Sequence, residues 1–257
     1  MMKYALCLEF FWKELPLAER IPRARAAGFD TGEIWGWRDR DLRTLADVSR
    51  DHGFRIVSIS GMEPVPGFND RAHHKETSDT IRAALDAAES LGCKQVIVLG
   101  GTLRKRTSRG DQRSAVIDAL LPLAVEAHAR GMWLALEILN SRHSFPGYFL
   151  DNTADQFAIV HTVGHPGLRV VYDLFHAGVM EGDHTTKLLD HFDSIASLQL
   201  AAVPTRNEPF LGELHHPAIV DALDARGFDG WTTLEYIPTL DSDESLARTL
   251  AWLRRTS

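Results

Sequence analysis

Short apolar segments alternate with amphipathic stretches along the whole chain. Apolar runs of about four to eight residues are typical of buried strands, whereas apolar positions that recur every three or four residues are typical of helices. This pattern predicts eight strands, near residues 3–9, 31–35, 55–60, 95–99, 133–138, 169–174, 196–201 and 231–236. It also predicts eight helices, near residues 15–27, 41–52, 73–91, 111–130, 153–163, 184–191, 216–226 and 243–255.

The residues between these segments indicate repeated βα units. Several predicted helices stop at a glycine that shortly precedes the next strand, as at Gly28 and Gly131, and glycine suits the left-handed position just after a helix. Alternating strands and helices form parallel sheets, and eight such units in about 250 residues fit a closed (β/α)₈ TIM barrel. A doubly wound open sheet is the alternative. We therefore expect residues 1–257 to form one α/β barrel domain.

Composition and charge limit the kinds of molecule that we expect the protein to bind. The chain of 257 residues has 44% hydrophobic and 25% charged residues, with a formal net charge of −7. Nucleic acids and anionic membrane surfaces need a surplus of Lys and Arg on the contact face, so we expect neither partner. The chain also lacks an uncharged stretch of about 18 residues that could span a bilayer. The two cysteines, Cys7 and Cys93, lie in or beside apolar segments, as reduced core residues of a cytoplasmic protein would.

Four polar residues stand near the ends of four consecutive predicted strands. They are Glu137, Asp173, Gln199 and Glu235, and their neighbours within each strand are mostly apolar. Because side chains of one parity in a barrel strand face the helices and those of the other parity face the axis, we expect all four to point to the barrel axis at one level.

A cluster of this kind predicts a metal site. Three carboxylates in a partly dry cavity would repel one another unless a cation supplied counter-charge. Carboxylate and amide oxygens without cysteine favour Mg²⁺ or Mn²⁺ over zinc. We predict that Glu137, Asp173, Gln199 and Glu235 bind one such ion. For any one of them alone, a salt-bridged or solvent-facing side chain is the alternative.

Other candidates lie near this cluster in the sequence. His176 follows Asp173 by three residues, and Arg206 and Glu208 lie on the segment after the seventh strand. We expect these three side chains to contact the substrate, since imidazole and guanidinium groups bind hydroxyl, carbonyl and carboxylate oxygens. The alternatives are an ordinary loop histidine and a surface ion pair. Glu33, at the end of the second strand, either supports the site or has a structural role.

Two further features are ambiguous. The basic run at residues 104–113 could draw an anionic substrate to the mouth of the barrel, although a solvated loop is the favoured interpretation. Trp12, Trp35 and Trp37 follow early strands, where they would line either the pocket or a subunit interface.

The motifs resemble those of a known family. LEILN, YDLFHAGVMEGD, LQLAAVPTRNEPFLGEL and GWTTLEYIP resemble the ordered motifs of the hydroxypyruvate isomerase family, within the xylose-isomerase-like barrel superfamily that also includes ketose 3-epimerases. The resemblance runs through residues 132–240 and continues more loosely over the first half. It implies that Glu137 and Glu235 are paired catalytic glutamates that also bind the metal, and that Asp173 and Gln199 complete the metal site.

The same resemblance implies that His176 and Arg206 contact the substrate, with Glu208 in the same loop. This chain departs from the family pattern around that loop, where Ala202 replaces an aspartate and Phe210 and Leu211 precede Gly212. Residues 61–70 also lack a histidine that the closest hydroxypyruvate isomerases would have. These departures predict a more apolar mouth and leave the substrate open.

The family implies isomerisation of hydroxypyruvate, or of a related small hydroxy-carbonyl acid or sugar, through a cis-enediolate. One glutamate that removes and returns the proton gives isomerisation, whereas two opposed glutamates give epimerisation. A ketose 3-epimerase is therefore one alternative, although its relatives usually place a histidine where this chain has Gln199. An inosose-dehydratase-like lyase and a non-catalytic sugar-binding barrel are others. An apurinic endonuclease would need a histidine-rich zinc cluster and a basic face, so we do not expect one. By analogy with relatives we expect a homo-oligomer, either a dimer or a tetramer.

Overall fold

The computed structural model of the protein describes residues 2–63 and 66–254. Within them, eight strands form one closed parallel barrel in chain order, β1 to β8. In that order they are Lys3–Cys7, Thr31–Ile34, Arg55–Ser60, Gln95–Leu99, Trp133–Glu137, Leu168–Asp173, Ile195–Leu200 and Trp231–Leu234. β8 pairs with β1 in parallel. The predicted barrel is therefore confirmed, and the alternative of an open sheet is wrong.

The part of the chain that the structure describes contains nine α-helices, α1 to α9. In order they are Leu17–Ala26, Leu42–Asp51, His74–Ser90, Arg109–Ala129, Thr153–Val163, Leu174–Met180, His184–Asp190, His216–Ala225 and Ser242–Leu253. Eight of them match the predicted helices closely, although the predicted end of the last one at residue 255 lies outside the described residues. The additional helix is α6, which begins directly after β6 with no intervening loop.

A hydrogen-bonded layer fills the barrel below the candidate site. The amide nitrogen of Gln95 donates to Ser58 Oγ at 3.1 Å and to Ser197 Oγ at 2.9 Å. The amide oxygen of Gln95 accepts from the indole of Trp133 at 3.1 Å. Ser197 stands two residues before Gln199 on β7. The interior of the barrel is therefore packed, and the candidate site rests on this layer.

Strand register brings the predicted site residues to neighbouring positions around the barrel. Asp173 on β6 is opposite Gln199 on β7, and Gln199 is opposite Thr233 on β8. Glu235 follows Thr233 by two residues, and therefore has the same parity in the strand. The polar residues that alternate with apolar neighbours in the sequence therefore lie at a similar height along the barrel axis.

Both cysteines are buried and free of disulfides. Burial raises the pKa of the Cys93 thiol to about 12, so it stays protonated. Among the helices of the described residues, none is long and apolar enough to span a membrane.

Candidate active site

The four residues predicted to bind a metal are all buried at the carboxyl ends of β5 to β8. Glu137 and Asp173 are the last residues of β5 and β6, Gln199 lies in β7, and Glu235 directly follows β8. At 7% or less, their exposed fractions are small. The carboxyl ends of the strands are the face on which TIM barrels build their active sites.

The two carboxylate oxygens of Asp173 differ in their hydrogen bonding. Its Oδ1 accepts the backbone N–H groups of Phe175 at 2.6 Å and His176 at 3.1 Å, which caps the first turn of α6. Its Oδ2 is buried and has no hydrogen-bond partner among the described residues. The helix therefore orients the carboxylate and leaves one oxygen available to a ligand.

In the side chain of Gln199, likewise, one polar atom is hydrogen-bonded and the other is not, and the bonded partner is Glu33. The amide nitrogen of Gln199 donates to Glu33 Oε1 at 2.9 Å. The amide oxygen of Gln199 is buried, and no described residue donates to it. Glu33 thus bonds the amide nitrogen and leaves the amide oxygen without a donor, which is consistent with a supporting role for Glu33 at the candidate site.

Glu235 is bonded through both of its oxygens. The indole Nε1 of Trp35 donates to Oε1 at 2.8 Å, and Nη2 of Arg206 donates to Oε2 at 2.9 Å. The Arg206 guanidinium lies over the rings of Phe10, Trp35 and Phe175, at 5.4, 5.8 and 5.2 Å from their centroids. This aromatic surround, with the ion pair, fixes the arginine beside the glutamate.

The electrostatics of the site favour an added cation. Burial, followed by the charge of Glu235, raises the pKa of Glu137 well above its ordinary value, that of Asp173 to about 7 and that of Glu33 to about 8. Burial lowers the pKa of Arg206, but the charges of Glu235, Asp173 and Glu137 more than reverse this effect, so the arginine stays charged. A single guanidinium thus faces several buried carboxyl groups, and a divalent ion would favour their ionised form.

His176 is a neutral hydrogen-bond donor at the cavity. The backbone N–H of Asn140 donates to Nδ1 at 3.0 Å, so the ring proton lies on Nε2. Burial and then the charge of Arg206 lower the pKa of His176 well below its ordinary value. Nε2 is 3.6 Å from Asp173 Oδ2. Although the ring lies with Glu137 and Asp173 in a group whose ligand atoms are all within 4.8 Å of one another, a protonated nitrogen cannot coordinate a metal, so this tautomer favours substrate contact.

A cavity of about 680 Å³ opens above these groups. Its lining includes the polar residues Glu137, His176, Arg206 and Glu235 and the apolar residues Trp35, Trp37, Leu139 and Phe145. Trp12 is buried elsewhere and is not part of the lining. The volume and the few converging polar groups are typical of a site for a small molecule.

Comparison with known proteins identifies the family of the chain. The family model described as the xylose isomerase-like TIM barrel matches residues 21–256. The chain belongs to this family. Within it, the chain is 29% identical over 265 residues to a 2-oxo-tetronate isomerase of Cupriavidus necator, with 99% of this chain and 98% of that protein covered. It is 30% identical over 275 residues to a Mus musculus protein named for hydroxypyruvate isomerase activity, with 98% and 94% covered.

A solved structure shows the same xylose isomerase-like barrel. It comes from Brucella melitensis, is described as an AP endonuclease of family 2, and has a TM-score of 0.91 at 28% identity, with 98% of this chain and 99% of that chain covered. The resemblance to hydroxypyruvate isomerases that the sequence motifs indicated is confirmed. The names of both curated relatives are those of isomerases, the enzyme class that the sequence predicted.

The structure corrects the prediction for Glu208. Its carboxylate accepts hydrogen bonds from the backbone of Thr239 at 2.8 Å and Leu240 at 3.3 Å, and from the hydroxyls of Thr239 and Ser245, both at 2.9 Å. Both of its carboxylate oxygens are bonded in this way, and the residue is fully buried. In this xylose isomerase-like barrel, Glu208 therefore connects the loop after β7 to the segment that follows β8 and does not face the substrate site.

The basic run at residues 104–113 also lies away from the cavity. Arg104 forms an ion pair with Asp70, Arg109 with Asp151, and Arg113 with Asp155. None of these arginines is among the residues that line the cavity. The run is therefore solvated, as the favoured interpretation expected, but only its first part is a loop, because residues 109–113 form the start of α4.

Three contributors to the site were not found from the sequence. Trp35 was recognised only as a possible pocket residue, and its bond to Glu235 was not predicted. Phe145 and Asn140, from the long loop after β5, line the cavity and orient His176, respectively. No periodic pattern marks such loop residues, so the sequence carried no signal for them.

Proposed function

We propose that the protein is a metal-dependent isomerase that moves a proton between adjacent carbons of a small hydroxy-carbonyl acid or sugar. Hydroxypyruvate and 2-oxo-tetronate are the first candidates, because relatives are named for these activities. The observation that carries the proposal is that the ligand atoms of Glu137, Asp173 and His176 lie within 4.8 Å of one another, while Glu137, His176 and Glu235 line one cavity. Such a group can bind a carbonyl and an adjacent hydroxyl while a carboxylate reaches the carbon between them.

The residues present fit a divalent ion. Asp173 Oδ2 and Gln199 Oε1 are buried acceptors without a donor in the described structure, and together with Glu137 and Glu235 they form a hard, oxygen-only ligand set. Such a set favours Mg²⁺ or Mn²⁺. When bound, the ion would withdraw charge from the substrate oxygens and so acidify the C–H bond between them.

The residues of the chain supply the remaining steps. Glu137 lines the cavity, and no described residue donates a hydrogen bond to its carboxylate. That group can take the proton from one carbon and return it to the next, while the hydroxyl proton of the substrate passes to the former carbonyl oxygen. Glu235 is the second carboxylate and would serve as the opposed base if the reaction were an epimerisation. The Nε2–H of His176 would donate to a substrate oxygen, which orients the carbonyl.

Deuterium exchange tests this proposal. The Mn²⁺-loaded protein is incubated in D₂O with hydroxypyruvate, 2-oxo-tetronates and free ketoses, and the products are followed by NMR. We expect deuterium at the carbon next to the carbonyl of at least one compound, together with a new isomer, and loss of both signals with EDTA. Full retention of protium in every compound, despite bound Mn²⁺, would contradict the proposal.

We also propose that the substrate is a small molecule and that nucleic acid is not bound, although one similar structure is described as an AP endonuclease. The net charge of −7 and the ion-paired arginines of residues 104–113 support this view. Binding of an abasic-site duplex at low salt would contradict it. The dimer or tetramer and the cytoplasmic location stay predictions, and light scattering would check the first.

A further inference from the structure

Trp35 lies on the loop after β2, and its side chain contacts Glu235, which directly follows β8. Its indole Nε1 lies 2.8 Å from Glu235 Oε1, although 200 residues separate the two in sequence. The contact is partly buried, and the same indole lines the cavity. The indole N–H therefore donates a hydrogen bond directly to a carboxylate that is predicted to be catalytic.

Trp35 is itself fixed in place from two sides. Its backbone N–H donates to Glu9 Oε1 at 3.0 Å, and Arg40 binds both oxygens of Glu9 at 2.9 and 3.0 Å. The ring of Phe10 packs edge-to-face on the indole, with centroids 5.0 Å apart. These contacts restrict the indole, so its N–H points to Glu235 without an additional ordering cost.

The two glutamates of the site are therefore not equivalent. Glu235 has a donor on each oxygen, Trp35 on one and Arg206 on the other. The Glu137 carboxylate receives no hydrogen bond from the described residues. A carboxylate with a donor on each oxygen keeps one orientation, so the protein itself orients Glu235, whereas it gives Glu137 no such support.

We propose that Trp35 is a positioning residue for Glu235, which it holds in the orientation that metal binding and proton transfer need. The kinetic part of this inference rests on the proposed function. The contact itself and its effect on metal affinity do not, so they can be tested without turnover.

The chain provides a matched pair of variants. Trp35→Phe removes the indole donor and keeps an aromatic ring, whereas Trp37→Phe makes the same change at a residue that lines the same cavity. Among the described residues Trp37 donates no hydrogen bond to either glutamate. Circular dichroism and urea unfolding establish that each variant is folded before it is compared.

The first measurement concerns the contact and uses the wild-type fold. In protein labelled with ¹⁵N-tryptophan, we expect the Trp35 indole N–H to exchange slowly with solvent and its resonance to move in Glu235→Gln. The Trp37 resonance should exchange faster and move little. An indole N–H of Trp35 that exchanges as fast as that of Trp37 would overturn the inference, even if Trp35→Phe failed to fold.

The second measurement concerns the consequence for the site. Loss of a partner that orients a metal ligand typically costs about ten- to a hundredfold in metal affinity or activity. We expect a loss of that size in Mn²⁺ affinity and in kcat for Trp35→Phe, with KM changed by less than about threefold, whereas Trp37→Phe should keep the wild-type Mn²⁺ affinity because Trp37 bonds to neither glutamate. Wild-type values in Trp35→Phe would show that the indole is only part of the wall. If the wild type exchanges no deuterium with any substrate, the proposed function fails, while Mn²⁺ affinity still decides the role of Trp35.

Discussion

Replacing Glu33 with glutamine should stabilise the metal-free protein at alkaline pH. Burial, followed by the charge of Glu235, raises the pKa of Glu33 from 4.5 to about 8. The folded state therefore binds this proton more tightly than the unfolded state, and stability falls as the pH rises through that interval. Between about pH 5 and about pH 9, the ionisation of Glu33 alone removes roughly 4 kcal/mol from the free energy of unfolding.

Glutamine cannot ionise, but its amide oxygen can still accept the hydrogen bond from Gln199. The variant should therefore match the wild type near pH 5 and exceed it near pH 9. Urea unfolding of the EDTA-treated proteins at both values measures the difference, and Glu14→Gln, at an exposed position, is the matched control. If Glu33→Gln and the wild type lose the same stability over this range, Glu33 does not ionise there and the electrostatic reasoning is wrong.

Further predictions concern three other residues. Asp173→Asn should remove most of the Mn²⁺ affinity and keep the fold, because asparagine still caps α6. Calorimetry measures the Mn²⁺ affinity, and urea unfolding measures the stability. Unchanged affinity would exclude Asp173 as a ligand. The pKa of His176 lies well below 6.5, so protonation of this residue should not lower kcat/KM near that pH. A decrease of kcat/KM near pH 6.5 that disappears in His176→Asn would contradict the neutral tautomer. Glu208→Ala should cost about 2–4 kcal/mol of stability, since it leaves the donors of Thr239 and Ser245 unpaired, with Mn²⁺ affinity unchanged; an unaltered urea midpoint would contradict this.

The fold could be predicted because strand parity and helical periodicity are local properties of the sequence. Glu137, Asp173, Gln199 and Glu235 stood out because each interrupts an apolar strand near its end, and barrel geometry then requires those ends to meet. Helix α6 escaped prediction because Leu174–Met180 continues the apolar run of β6.

The remaining contacts depend on tertiary structure. Arg206 and Glu208 lie two residues apart on one loop, yet the first faces the cavity and the second is buried against the segment after β8. Alternation gives no rule in an irregular loop, so the sequence could not separate them. The bond from Trp35 to Glu235 likewise exists only because β1 closes on β8 and places β2 nearby.

Our main proposal is that Glu137, Asp173, Gln199 and Glu235 hold one divalent ion at the carboxyl ends of β5 to β8, where Glu137 and Glu235 line the cavity. Anomalous diffraction from crystals soaked in Mn²⁺ tests it most directly, because the metal is located independently of the protein density. We expect one strong peak within bonding distance of an oxygen from each of these residues, with His176 Nε2 outside that distance. A peak coordinated by the His176 ring, or no peak among the four residues at saturating Mn²⁺, would contradict it.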